Sequence, residues 1–395
     1  MRRIKILLGV VLTLLLLLCL APQAHGSEQA GGLELDAVLN QQLRELNLHS
    51  FEEVLRDVEE EYAGFVPELT IEGLTLGLGG SGGLNPRQVL INLSRFALGE
   101  VSRQTSLLGR IIVVAMLCVL MKKMQDSFGG SVGNAAYGVC FLVLVGVVLQ
   151  SFSLLTREVM NAVELMISLL YSLLPVLLSL LVSLGAAGSA ALFHPLVAAT
   201  ATTVSTVVRN LVIPLIYFAG ILTLLNALSD KVQVSKLASL LKDLSIAILG
   251  ISFTVFVGLS VVQGTAAGVA DGIALRTAKY AVKNFIPVVG GLFADVFETV
   301  AGASLLLKNG IGITGLLAVF ILCAMPALKV LVVVFIYRLA AAIIQPMGVT
   351  PVAEALSNLA SILTVLAGAL ITVGIMFFIL ITIVIGAGNA TLSIR

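Results

Sequence analysis

Residues 311–346 read IGITGLLAVFILCAMPALKVLVVVFIYRLAAAIIQP, and this stretch decides the fold class. Apart from Lys329 and Arg338, every residue in it is uncharged and most are aliphatic. A bilayer core about 30 Å thick takes about 20 apolar residues of helix. The run is therefore too long for one ordinary span and short for two. Pro326 cannot donate an amide hydrogen bond and crowds the preceding turn, which predicts a kink or a break there. The two cations sit where charge is expensive unless it faces protein or water, or snorkels to an interface. An interrupted apolar segment carrying isolated cations belongs to a membrane protein.

The rest of the chain agrees. Hydrophobic residues make up 58% of 395 and charged residues 11%, with a mean hydropathy of +1.09. Soluble domains carry about 25% charged residues, so most of this surface is destined for lipid. The net charge of +1 conceals a segregation: residues 27–106 hold 13 acidic and 5 basic side chains. Four cysteines (Cys19, Cys118, Cys140 and Cys323) form no CxxC, and none lies in the acidic segment. Neither a disulfide framework nor a zinc site is indicated. With no Trp in the chain, Tyr, Lys and Arg are left to anchor it at the membrane surfaces.

Residues 1–26 have the layout of a secretory signal. Arg2, Arg3 and Lys5 precede an apolar core from Leu7 to Leu20, and Ala24-His25-Gly26 offers small residues for cleavage before Ser27. Such a leader places residue 27 onward outside the cytoplasm. Residues 27–106 are expected to form an acidic, helical, extracytoplasmic region. Phe51, Val54, Leu55, Val58 and Tyr62 recur there at helical spacing. A glycine-rich hinge follows at 73–83, then an interfacial helix opened by Asn85-Pro86.

A multi-span membrane domain is expected over 107–395. Apolar runs predict spans near 107–121, 133–155, 165–184, 211–228, 244–264 and 360–386. Residues 185–208, rich in Gly, Ala, Ser and Thr, could span or re-enter. With the opening stretch, the fold class is all-α, a polytopic helical membrane protein with about seven to nine spans or re-entrant segments. Gly264, Gly268 and Gly272 repeat at the four-residue spacing that lets helices approach closely. An internal repeat is suggested over about 165–270 and 283–388, on the shared 112-residue offset of Pro175 with Pro287 and Pro214 with Pro326.

Chemistry is sparse. Gly310-x-Gly312-x-x-Gly315 spells a dinucleotide fingerprint but opens an apolar span instead of a βαβ unit, so no cofactor site is assigned. His25, His49 and His194 are far apart, and no metal-ligand spacing or nucleophile–base pair is present. No enzyme, no cofactor and no nucleic-acid partner is expected. What remains are the intramembrane charges. Lys329 and Arg338 are nine residues apart, on opposing faces of a regular helix. Each has a bland reading, Arg338 snorkelling and Lys329 capping a half-helix, and a functional one, a polar path with Asp295 or Glu298 as counter-charge.

From 264 to the end the residues resemble a known family. Gly268-Val-Ala-Asp-Gly272, Arg276-Thr-Ala-Lys279, Asn284-Phe-Ile-Pro-Val288 and Leu306-Leu-Lys-Asn309 carry the likeness. So do Pro326-Ala-Leu-Lys-Val-Leu331, Phe335-Ile-Tyr-Arg-Leu-Ala-Ala-Ala-Ile343, Gln345-Pro346 and Ala387-Gly-Asn389. This set is similar to the stage III sporulation protein AE family of endospore-forming bacteria. The resemblance implies a multi-pass protein of the mother-cell membrane around the forespore, within the channel that sustains forespore development. It further implies partners among the other stage III sporulation proteins of the same operon, including an ATPase, and membrane lipids. A self-contained ion-coupled permease, binding its substrate near Asp295, Glu298 and Lys329, is the competing expectation.

Overall fold

The computed structural model describes residues 46, 48–62, 86–128, 131–228, 234–285, 290–348 and 350–393. Side chains are described throughout these except at 86–90, 125–135, 228, 268–301 and 388–393. The leader and its cleavage site lie outside the described residues. Among the described residues eight α-helices follow one another: α1 (His49–Glu61), α2 (Pro86–Phe128), α3 (Ser131–Ser183), α4 (Ala187–Thr203), α5 (Ile213–Leu228), α6 (Ser235–Phe285), α7 (Gly290–Ile344) and α8 (Thr350–Ser393). A π-helical stretch, Val204–Val212, joins α4 to α5, and a 3₁₀ turn, Gln345–Met347, precedes α8. Among the described residues there is no strand.

Among the described residues, six helical segments are long and apolar enough to cross a membrane: Ile91–Met124, Ala136–Ser183, Ala187–Ala227, Ser235–Ala267, Gly302–Met347 and Thr350–Ala387. The sequence pattern separates spans at 133–155 and 165–184, yet α3 runs through both without a break. The polar residues between them, Thr156-Arg157-Glu158 and Asn161 to Glu164, interrupt the apolar run but not the helix. No Gly or Pro occurs from 147 to 174, and Arg, Glu, Met and Leu all favour helix. Residues 187–208 and 211–228 likewise join into one continuous helical segment, Ala187–Ala227.

A kink or a break was expected at Pro326. It lies inside α7, which continues to Ile344, so the helix is not broken there. Packing on every side replaces what the proline removes: Leu322, Ala324, Met325 and Ala327 are all buried. Pro214 has a different consequence. It leaves the Asn210 carbonyl without its α-helical donor, and the turn before it widens, with the Ile213 amide donating to the Val208 carbonyl five residues back.

α7 and α8 form the antiparallel centre of the bundle, and α3 packs across α7. Close helix approach in lipid depends on small residues more than on hydrophobicity. The tightest approaches fall at Gly312 against Ile385, Gly315 against Leu173, Gly220 against the Phe152 ring, and Gly374 against Cys323. A β-carbon at any of these would lie 2.4–2.5 Å from its neighbour. The Gly310-x-Gly312-x-x-Gly315 pattern is therefore a packing face of α7. At Gly264 a β-carbon would meet Ile383 at an ordinary 3.4 Å, and the side-chain positions of Gly268 and Gly272 lie outside the described residues.

Candidate functional site

The 48-residue and 46-residue segments in α3 and α7 are about 70 Å long, roughly twice the bilayer core. Midway along each, apolar sequence gives way to charge, and the charges meet. Lys329 of α7 donates to the Oε1 of Glu158 on α3. Both are partly buried, with side chains 20% and 27% exposed. One and a half turns further along α3, Glu164 accepts from the guanidinium of Arg209 at 3.0 Å. Arg209 sits in the π-helical stretch whose widening Pro214 explains, so a proline effect on the backbone sets where this cation points.

The small helix α1 covers the first pair. Phe51, Leu55, Val58 and Tyr62 stand at helical spacing and are all buried, while Glu52, Glu53, Asp57 and Glu60 face outward. At 13 residues such a helix is marginal alone, so docking is what makes it fold. Each buried apolar side chain contributes about 1.5–3 kcal/mol to that docking. Tyr62 ends the helix. Its ring stands 5.7 Å from the Lys329 ammonium and edge-on to Phe96 of α2, with centroids 6.4 Å apart. Burial first, then the negative charges of Glu61 and Glu158, push the Tyr62 phenol well above its ordinary range, so it stays protonated. Glu100, one turn beyond Phe96, is also buried and accepts from Gln104 at 2.9 Å. Lys329, Glu158 and Tyr62 together make a polar belt where α1, α3 and α7 converge, with Phe96 of α2 against Tyr62.

Of the residues singled out in the sequence, Lys329 lies in this belt and Arg338 does not. Arg338 is further along α7, lining a separate cavity with Glu354 of α8. Asp295 and Glu298 belong to the start of α7, in the same unbroken helix as Lys329 and about 45–50 Å before it. Their side chains lie outside the described residues. The acid facing Lys329 is Glu158, which the linear pattern hides by making its neighbourhood look like a connecting loop. A 28-residue stretch without Gly or Pro around Glu158 is the signal that would have revealed a continuous helix. A second intramembrane cation also went unselected: Lys308 is fully buried in α7 and donates to the Ile385 carbonyl of α8 at 2.8 Å.

Comparison with known proteins bears on the chain as a whole. The family model described as stage III sporulation protein AE matches residues 70–388. A protein of Bacillus subtilis (strain 168) named stage III sporulation protein AE is 37% identical over 391 residues, covering 97% of this chain and 98% of its own length. No solved structure matches.

Proposed function

The chain belongs to the stage III sporulation protein AE family, and on that premise we propose that it is the integral membrane component of the channel linking mother cell and forespore. In this reading it resides in the mother-cell membrane around the forespore and sustains forespore development. It works there as a structural and conducting subunit with no catalytic role. Its partners are the other stage III sporulation proteins of the same operon, including an ATPase.

The observation that supports an assembly role is α1. Its apolar face is used up against the bundle, and its opposite face presents Glu52, Glu53, Asp57 and Glu60 to the surroundings. A docked short helix whose outer face is mainly acidic, with Arg56 paired to Glu60 at 3.7 Å and Glu52, Glu53 and Asp57 in no ion pair among the described residues, suits a basic partner surface, by steering and by excluding wrong partners. Reversing Glu52, Glu53 and Asp57 to Lys is expected to leave protein abundance unchanged while abolishing co-purification with operon partners and reducing spore yield. Undiminished co-purification in that triple variant would sink the docking role.

The Lys329–Glu158 pair favours a second reading, a self-contained ion-coupled permease, because paired ionisable groups between membrane helices mark ion pathways. Purified protein reconstituted alone in liposomes separates the two. Ion or solute flux that is lost in Lys329→Met establishes the permease, and silence in that assay leaves conduction to the assembled complex.

A further inference from the structure

Where α7 turns into α8, a cavity of about 390 Å³ opens to the surface, lined by Arg338, Gln345, Thr350, Glu354 and Ser357, with Ala342 at its rim. Arg338 and Glu354 carry opposite charges and line the same space, yet neither makes an ion pair among the described residues. A partly exposed pair of this kind would gain little by closing, so nothing forces them together. Unpaired, they leave one anionic and one cationic subsite within a single opening. Arg338 presents a planar fork of donors suited to a phosphate. The amino end of the 44-residue helix α8 lies at Thr350 and adds its positive pole to the same side. Glu354, one turn into α8, offers a carboxylate to an ammonium group, and Gln345 and Ser357 add neutral hydrogen-bonding groups.

The surroundings choose the ligand's other end. Phe335, Leu339 and Ile343 are exposed on the strip of α7 immediately beside the cavity rim. They lie within the apolar segment Gly302–Met347, where exposed side chains of this kind meet acyl chains. We propose that this cavity is a site for a phospholipid with a zwitterionic, primary-amine headgroup. The phosphate is held by Arg338, the ammonium by Glu354, and the acyl chains run along Phe335, Leu339 and Ile343. A lipid whose headgroup is only anionic satisfies Arg338 but leaves Glu354 facing a negative charge, so the site discriminates between headgroups. A free zwitterion could satisfy the same two charges, but it would leave the apolar strip unused.

The test uses the full chain in nanodiscs of equal phosphatidylethanolamine and phosphatidylglycerol, with retained lipid read by native mass spectrometry after extraction. The wild type is expected to retain phosphatidylethanolamine over phosphatidylglycerol by about tenfold, a difference of about 1.4 kcal/mol. Arg338→Gln and Glu354→Gln should each bring the ratio near one. Ala342→Phe keeps both charges, alters an exposed rim position that the bundle does not depend on, and should also remove the preference by blocking entry. Helicity by circular dichroism checks that each variant is folded. Equal retention of the two lipids by the wild type overturns the site, and so does a preference that survives all three substitutions. A rise in melting temperature of delipidated protein with O-phosphoethanolamine, in the absence of any lipid preference, overturns the lipid as the occupant.

Discussion

Lys329 shows how a single residue's meaning depends on what reaches it from elsewhere in the chain. An ammonium at mid-helix opposes membrane insertion by about 2.5–3.5 kcal/mol, and Glu158, with the Tyr62 ring above, supplies the compensation. Substituting Lys329→Met leaves Glu158 partly buried without its cation, at a cost of about 1–3 kcal/mol, less than for a fully buried pair because both groups retain some solvent. Glu158→Gln should cost a similar amount from the other side. The double substitution should be less damaging than the sum of the two, since neither charge is then stranded. Thermal melting of the four proteins in detergent checks this, and strictly additive losses would mean that the two side chains do not act as a pair. Sporulation efficiency measured in the same four strains tells whether the pair matters beyond stability.

Helices of this protein are joined by glycine contacts more than by charge, and the contacts differ in how far they can yield. At Gly220 the facing atoms belong to the Phe152 ring, itself stacked in parallel on Tyr217 at 5.6 Å, and at Gly374 they are the sulfur and β-carbon of Cys323. Neither neighbour has a flexible end to swing away. Gly220→Ala and Gly374→Ala are therefore expected to destabilise the fold by about 1–3 kcal/mol, the usual penalty for overpacking. At Gly312 and Gly315 the facing atoms are the side-chain ends of Ile385 and Leu173, which can move, so alanine should cost less there. Gly264→Ala, facing Ile383 at 3.4 Å, should be close to neutral. The same series in a melting assay checks the order, and a Gly264→Ala loss as large as that of Gly374→Ala would contradict it. The proline elements carry a related lesson. Pro326 leaves α7 unbroken where its neighbours are buried, whereas Pro214 reshapes the turn before it and thereby directs Arg209 to Glu164.

At the scale of the molecule, the six candidate spans among the described residues predict that, if each crosses once, the chain returns to the side from which it started. With the expected leader sending residue 27 outward, that count predicts α1 outside, Lys122 and Lys123 inside, and residue 393 outside. A cysteine introduced at Ser393 should react with an impermeant maleimide in intact protoplasts, and one at Gln125 only after lysis; the reverse pattern would show an odd number of crossings. Much of this architecture was legible in the linear chain. Composition and long apolar runs dictate an all-helical membrane protein, because a backbone in lipid must satisfy its own hydrogen bonds. The helical spacing of Phe51, Leu55, Val58 and Tyr62 likewise announces the buried face of α1. Polarity read along the linear chain makes the stretches around Glu158 and Arg209 look like loop, although the absence of Gly and Pro from 147 to 174 already favours helix at the first. Polarity alone does not end a helix, and the charges there are tolerated only because partners arrive from 171 and 45 residues away. The pairing of Lys329 with Glu158, the meeting of Arg338 and Glu354 in one cavity, and the choice of Gly220, Gly312, Gly315 and Gly374 as closest contacts were settled by tertiary packing. Each depends on which helix lies opposite, and periodicity within one helix carries no information about its neighbour.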